Sequence, residues 1–180
     1  MSLDRYIKPW KGKAFRHIPD SPENDVFDFD HTYQQKTNRW NMEGEPTLYL
    51  AKDQKVLIGE WGRNFNLNRN QSLKNKVLKR CIYRFSIRLN FILDLRDKKV
   101  CQMLNLKNTP HCFLETSVAR ATAYFLRYTT KAQGLLVPSM AFLDNPDLWC
   151  LVIFLEKLKP DLRKYLTHTE KQGYLDVSLT

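Results

Sequence analysis

The chain has 180 residues, of which 43% are hydrophobic and 27% are charged, and its formal net charge is +10. This length and balance are typical of one globular domain, and they exclude a disordered or fibrous chain. The longest apolar run, residues 148–155, is too short to span a bilayer, and the first residues contain no apolar stretch of signal-peptide length. We therefore expect a single cytoplasmic domain over residues 1–180 that does not associate with membranes.

The first half of the chain predicts a loop, a strand and a helix. Residues 20–38 are polar and rich in turn-forming side chains, which predicts a long loop. The run Thr47–Ala51 favours a short strand. Asp53 is a good N-cap residue, and the apolar residues that follow predict a short helix over residues 53–61 that carries Glu60.

The second half predicts three strands and one helix. Residues 81–91 alternate in polarity, which predicts a strand with one buried and one solvated face. Residues 114–130 predict an amphipathic helix, and residues 135–137 and 148–155 predict buried strands. The apolar side chains at helical spacing are Leu114, Val118, Ala121, Phe125 and Tyr128. Because these elements follow no regular βαβ order, we predict an α+β fold with a mainly antiparallel sheet core and flanking helices.

The positive charge predicts attraction to polyanions, whether nucleic acid, nucleotide or an acidic protein. Modest basic clusters occur within residues 74–80 and 157–164, and each is typical of a solvated surface. No helix-turn-helix or aromatic-rich RNA-binding segment accompanies them. A non-catalytic, basic nucleic-acid-binding module stays open as an alternative function.

The cysteines and histidines are not spaced like metal ligands. Cys81, Cys101, Cys112 and Cys150 form no CxxC pair, and the four histidines show no zinc-site interval. We expect reduced cysteines and no metal. Glycine-rich phosphate loops are also absent from this sequence, so any nucleotide must be held by side chains.

Five short segments resemble, in the same order, the motifs of the RES domain, a toxin domain named for its arginine, glutamate and serine. They are FRHIP at residues 15–19, NRWN at 38–41, LYLA at 48–51, IGE at 58–60 and GLLVPS at 134–139. Residues 116–130 resemble a helix of the same family. The resemblance covers about residues 14–155 as a core, which leaves residues 156–180 as a C-terminal appendage. Several motifs in the correct order make the resemblance specific.

This resemblance implies an ADP-ribosyltransferase-like fold and an enzyme with NAD as its substrate and no other cofactor. The implied reaction is cleavage of the nicotinamide–ribose bond by an NAD phosphorylase or NAD glycohydrolase that acts as an intracellular toxin. Transfer of ADP-ribose to a protein is an alternative. The implied partners are NAD, inorganic phosphate as one acceptor, and an Xre-type helix-turn-helix antitoxin, while a homodimer is left open.

The resemblance also implies the residues of the site. Glu60 would stabilise the cation that forms on the ribose, and Arg39, supported by Arg16, would hold the diphosphate. A planar guanidinium suits this because it can grip phosphate through two bonds. The residues assigned to substrate binding are Arg16, Tyr49, Ser139, Trp40 and Asn145.

Each of these residues has a purely structural alternative. Arg39 could be a surface cation, Tyr49 a core side chain and Ser139 a turn residue. In the functional interpretation, the Tyr49 ring stacks on nicotinamide with its hydroxyl free to bond, and Ser139 orients a ribose. Asn145 corresponds to an asparagine that follows the serine element in the family.

Overall fold

The computed structural model describes residues 3–21, 25–29, 38–67, 79–158 and 161–175, without the side chains of residues 64–67 and 168. The strands in these ranges are β1 (Lys8–Pro19), β2 (Thr47–Ala51), β3 (Arg80–Asp94), β4 (Gly134–Pro138), β5 (Trp149–Phe154) and β6 (Leu166–Leu175). The helices are α1 (Gln54–Leu67), α2 (Lys98–Met103) and α3 (Thr116–Thr129). The fold class is therefore α+β. The loop predicted over residues 20–38 falls largely outside the described residues.

The strands form one mixed sheet in the order β1-β2-β5-β4-β3-β6. Strand β1 also pairs with β3, so β1, β2, β5, β4 and β3 make a closed ring. The pair β3–β4 is parallel, whereas the other pairs among the described strands are antiparallel. The sheet is thus mixed because the chain returns from β3 through α2 and α3 to a parallel strand.

The ring has one open seam, between β1 and β2. Strand β1 pairs along its length with β3, and β2 pairs along its length with β5. Between β1 and β2 the register contains the single pair Phe15 and Ala51. Beyond that pair, residues 16 and 17 of β1 face residues 50 and 49 of β2 without a continuing ladder.

Strand β3 confirms the predicted alternation only in part. Phe85, Ile87 and Leu89 are buried, whereas Phe91 is 36% exposed. The register between β1 and β3 shifts here, since Trp10 lies opposite Leu89 and Lys8 lies opposite Ile92. This bulge turns Phe91 outward. The backbone amides of Asn90 and Phe91 donate hydrogen bonds to the Oε1 atom of Gln133.

Helix α3 is confirmed, but its predicted buried face is wrong. Leu114, Phe125 and Tyr128 are 45%, 47% and 63% exposed, and Ala121 is also exposed. The helix instead buries Ala119, Thr122, Ala123, Leu126 and Arg127. Small side chains at positions 119 and 123 let the helix lie close to the sheet, and Arg127 is paired by Thr47, Glu45 and Glu156 beneath it.

Helix α1 begins as predicted at Asp53, whose side chain accepts a hydrogen bond from the backbone amide of Val56 at 2.9 Å. This is an N-cap contact. The helix is longer than expected and continues to Leu67. Val56 and Leu57 are buried against Ala51, Ile82 and Leu148, so the helix packs on the outside of the seam.

The segment expected to be an appendage contributes β6, which pairs antiparallel with β3 at the edge of the sheet. Among the described residues, no helix is long and apolar enough to cross a membrane. No group of three or more candidate ligands among these residues could hold a metal ion. The four cysteines are free thiols in the described chain.

Candidate active site

A cavity of about 350 Å³ lies in the open seam. Its walls include Arg16 and His17 from β1 and residues 47–51, which make up β2. The segment before β2 contributes Asn38, Arg39 and Trp40, and α1 contributes Leu57, Glu60, Trp61 and Arg63. The remaining wall comes from the end of β4 and the residue that follows it by two positions, and from β5, through Val137, Pro138, Met140 and Cys150. The cavity occupies the place where a continued β1–β2 ladder would lie.

Glu60 is held on the cavity wall by two hydrogen bonds to one of its oxygens. Its Oε1 atom accepts from the hydroxyl of Ser139 at 2.6 Å and from the backbone amide of Ala141 at 3.1 Å. Its Oε2 atom accepts no hydrogen bond from a described residue. The carboxylate is therefore fixed in orientation while one oxygen stays available to a ligand.

Gly59 allows this arrangement because a side chain there would collide with the neighbouring turn. A Cβ atom at position 59 would lie 2.5 Å from Cε2 of Phe142 and 3.1 Å from Cβ of Ala141. Helix α1 can therefore approach residues 139–142 closely. This approach brings Glu60 within hydrogen-bond reach of Ser139.

Ser139 itself is fully buried and does not line the cavity. It lies directly after β4, and its backbone amide donates to the carbonyl of Leu148 at 3.0 Å. The structure thus brings Ser139 to the site through Glu60. This geometry makes it a positioning residue for the carboxylate.

Arg39 lines the cavity and is anchored by one of its nitrogens. Its Nη1 atom donates to the carbonyl of Phe113 at 2.5 Å and to the carbonyl of Leu114 at 3.0 Å. The rest of its fork donates to no described residue. Burial and the charge of Arg63 lower the pKa of Arg39 from its ordinary value, while Glu60 acts in the opposite direction. The guanidinium keeps free donors for an anion.

Arg16 lines the cavity from β1, and its guanidinium lies 5.3 Å from the ring centroid of Phe29. Burial, followed by the charge of Arg80, lowers its pKa to about 10, and Asp28 opposes this effect. Arg16 is still protonated at neutral pH. Together with Arg39, it gives the cavity two cationic walls.

Tyr49 lines the cavity, but its hydroxyl is not free, contrary to the sequence-based interpretation. The hydroxyl donates to Oδ1 of Asn41 at 2.7 Å and accepts from the backbone amide of Trp40 at 3.2 Å. Burial raises the pKa of Tyr49. Trp40 is 3% exposed and packs on Phe113 at 5.1 Å between ring centroids. The hydroxyl of Tyr49 is therefore engaged within the protein, and Trp40 is almost wholly enclosed.

Asn145 lies in the exposed turn between β4 and β5 and does not line the cavity. Its side chain accepts from the backbone amide of Asp147 at 3.0 Å, which is a typical Asx-turn contact. The structure thus brings together Glu60, Arg39, Arg16, Tyr49 and Trp40 around one cavity, with Ser139 behind them. It does not bring Asn145 to the same place.

Sequence reasoning missed several lining residues, among them His17, Trp61 and Arg63. Arg63 follows Glu60 by three positions on α1, so helical spacing alone predicts that the two share a face. It makes no hydrogen bond or ion pair with a described residue. His17 carried no signal, because adjacent strand residues normally point to opposite faces and Arg16 already occupied the motif.

The fold and the cavity define an α+β protein whose mixed sheet holds a ligand site at an open seam, with a carboxylate and several guanidinium groups on its walls. The family model of the RES domain matches residues 13–175. The chain therefore belongs to the RES domain family, which confirms the assignment made from its motifs.

Among solved structures, the chain is similar to one in the crystal structure of the M. tuberculosis MbcT–MbcA toxin–antitoxin complex. The TM-score is 0.65 at 16% sequence identity, and the match covers 97% of this chain and 88% of that chain. At this identity the similarity concerns the fold. No curated protein matches the chain.

Proposed function

We propose that the protein cleaves the nicotinamide–ribose bond of NAD and acts as a toxin through that reaction. The observation that carries the proposal is the fixed carboxylate of Glu60, whose Oε2 atom accepts no hydrogen bond from a described residue, on the wall of a cavity lined by Arg16, Arg39 and Arg63. NAD combines the two chemistries that these walls complement, a diphosphate and a ribose that becomes cationic during cleavage.

Glu60 supplies the charge that this reaction needs. When the bond between the ribose and the nicotinamide nitrogen breaks, its electron pair leaves with nicotinamide, and the anomeric carbon becomes cationic in character. A fixed carboxylate stabilises this cation more than it stabilises the bound substrate, which lowers the barrier. Because Ser139 and Ala141 fix one oxygen, little reorganisation is needed at the moment of reaction.

The arginines hold the diphosphate. Arg39 is anchored through Nη1 alone, so its remaining donors can bind a phosphate oxygen by charge-assisted hydrogen bonds. Arg16 adds a second charge from β1. The ring of Tyr49 lines the same cavity and offers apolar surface on which nicotinamide can stack.

The acceptor of the ribosyl group is inorganic phosphate or water. In phosphorolysis, an oxygen of phosphate forms the new bond to the anomeric carbon as the bond to nicotinamide breaks. A cation near Glu60 favours this acceptor, and Arg63 lies one helical turn away without a described partner. Phosphate is therefore the acceptor we favour.

The test is to incubate purified protein with NAD, with and without phosphate, and to measure free nicotinamide. We expect release that Glu60→Gln reduces by roughly a hundredfold to a thousandfold, because an amide carries no negative charge. Glu43→Gln, which changes an exposed carboxylate in a turn, is the matched control and should leave the rate unchanged.

Nicotinamide release that is absent in both buffers, or equal in the wild type and Glu60→Gln, contradicts the proposal. Phosphate-dependent release identifies a phosphorylase, and release without phosphate identifies a glycohydrolase. Radiolabelled ADP-ribose that stays on a protein would instead support ADP-ribosyl transfer.

We also propose that an antitoxin of the Xre type binds the protein and blocks the cavity. The similar structure from M. tuberculosis is a toxin–antitoxin complex, and the net charge of +10 favours an acidic partner surface. The test is expression in a bacterial host, alone and together with a candidate Xre-type antitoxin, which should restore growth. Wild-type protein should lower cellular NAD and stop growth, whereas Glu60→Gln should do neither.

A further inference from the structure

A histidine that the proposed mechanism does not use lies on the cavity wall between two cations and an indole. His17 lines the cavity from β1. Its Nδ1 atom accepts a hydrogen bond from Nε of Arg80 at 2.6 Å. Its ring contacts the ring of Trp61 edge to face, with 4.7 Å between centroids. Arg80 also stacks on Trp61 at 4.6 Å.

The contact with Arg80 determines which nitrogen of His17 carries the proton. A guanidinium has only donors, so the Nδ1 atom that it binds must be the unprotonated acceptor. The proton of the neutral ring then lies on Nε2. That atom donates to no described side chain.

The surroundings also keep the ring uncharged. Burial and the charges of Arg80 and Arg16 lower the pKa of His17 to about 3. His17 therefore differs from the arginines around it, because it offers a hydrogen-bond donor without adding a positive charge. The ring therefore adds no charge to a wall that already carries Arg16, Arg39 and Arg63.

Trp61 supplies a second donor in the same place. It follows Glu60 on α1 and lines the cavity. Its indole Nε1 atom is buried and has no hydrogen-bond partner among the described residues. A buried donor without a partner is unfavourable, and a ligand acceptor that reaches it by a small shift of the indole would remove that cost.

We propose that Nε2–H of His17 and Nε1–H of Trp61 form a donor pair for an oxygen in the nicotinamide–ribose half of the bound nucleotide. The inference rests on the proposed function for the identity of the ligand. Trp61 follows Glu60 on α1 and contacts His17, so the pair belongs with Glu60, to which the proposed function assigns the anomeric carbon. Arg80 acts indirectly by fixing the tautomer.

The first experiment measures KM for NAD in single variants. We expect His17→Leu and Trp61→Phe each to raise KM by roughly fivefold to tenfold, the usual effect of losing one hydrogen bond. His17→Gln should restore most of the affinity, because its amide can accept from Arg80 and still donate. The affinity for ADP, which lacks the nicotinamide ribose, should be the same in all variants.

The second experiment observes the proton directly. In the full-length protein labelled with 15N-histidine, His17 should show a protonated Nε2 and an unprotonated Nδ1 from pH 5 to pH 8. Arg80→Met should remove this fixed state. A protonated Nδ1, or a ring that titrates near its ordinary pKa, would overturn the proposal.

The experiments distinguish failure of the proposed function from failure of the donor pair. If wild-type protein releases no nicotinamide, the proposed function fails and the donor pair loses its ligand. If it does release nicotinamide while His17→Leu keeps the wild-type KM, the donor pair alone is refuted. Equal loss of NAD and ADP affinity would also refute it, because the donors would then contact the ADP half.

Discussion

At the scale of single residues, the proposed mechanism gives the buried hydroxyl of Ser139 a positioning role without contact with substrate. Ser139→Ala removes the 2.6 Å bond to Oε1 of Glu60 and leaves the bond from the amide of Ala141. We expect kcat for nicotinamide release to fall roughly tenfold, the effect of about 1.4 kcal/mol, with a small change in KM. Steady-state kinetics measures both. Ser139→Thr, which retains the hydroxyl, is the comparison, and an unchanged kcat in Ser139→Ala would contradict the positioning role.

Arg127 has a purely structural role. Its side chain is 1% exposed, donates to Oγ1 of Thr47 at 2.7 Å and lies 3.2 Å from a carboxylate oxygen of Glu156 and 4.0 Å from one of Glu45. Arg127→Met leaves two carboxylates without their cation, so we expect the free energy of unfolding to fall by about 3–5 kcal/mol.

Urea unfolding measures this loss for Arg127→Met. Burial already raises the pKa of Glu156, and Arg127 opposes that rise. Adding Glu156→Gln to Arg127→Met should therefore recover part of the stability. If the double variant is less stable than the single one, the interpretation of this cluster is wrong.

At the scale of elements, helix α1 carries two glycines that make opposite predictions. A Cβ at Gly59 would lie 2.5 Å from the ring of Phe142, whereas a Cβ at Gly62 would meet nothing within 4 Å. Gly62→Ala should stabilise the protein by about 0.5–1 kcal/mol through helix propensity and leave nicotinamide release intact. Gly59→Ala should push α1 away from residue 139. We therefore expect it to cancel the stabilisation from helix propensity and to lower kcat. Thermal unfolding and kinetics on both variants test this, and equal behaviour of the two would contradict it.

The elements also show what sequence can and cannot predict. Strand β2 and the start of α1 at Asp53 were predicted correctly, because strand propensity and N-capping are local signals. The buried face of α3 was predicted wrongly, since Phe125 and Tyr128 are large and apolar whereas Arg127 is charged. The helix nevertheless buries Arg127, because Glu45 and Glu156 from distant segments compensate it. Such long-range pairing leaves no mark in a local pattern.

The residues of the candidate site also divide into those with a local sequence signal and those that depend on long-range contacts. Motif order placed Glu60, Arg39, Arg16, Tyr49 and Trp40, all of which line one cavity. His17 and Trp61 were out of reach because both contact Arg80, which is more than sixty residues from His17 along the chain. In the sequence, Arg80 belonged to an ordinary basic cluster. The description of the fold as ADP-ribosyltransferase-like stays a prediction.

At the scale of the whole molecule, His17 gives stability a pH dependence. Its pKa is about 3 in the folded protein and near 6.5 when unfolded, so the unfolded chain binds the additional proton between these values. The contribution of His17 to stability is therefore full above about pH 6.5 and is lost as pH falls toward 3. The slope approaches about 1.4 kcal/mol per pH unit. Urea unfolding from pH 4 to pH 7 measures how the free energy of unfolding changes with pH. In His17→Gln the slope should be smaller by the contribution of one proton, and equal slopes in the variant and the wild type would contradict this.

The open seam has a consequence for the motion of the sheet. On one side of it, β1 is attached to β3, and on the other side β2 is attached to β5, so separating the two strands breaks only the single pair of Phe15 and Ala51. A nucleotide that contacts both strands should hold them together. At a concentration of a hundred times its Kd, it should raise the free energy of unfolding by about 2.7 kcal/mol. Slower hydrogen exchange in both strands would report the closure. An inhibitor then need not contact Glu60. A compound that binds β1 and β2 and holds them at a different spacing would be enough to prevent binding of the nucleotide.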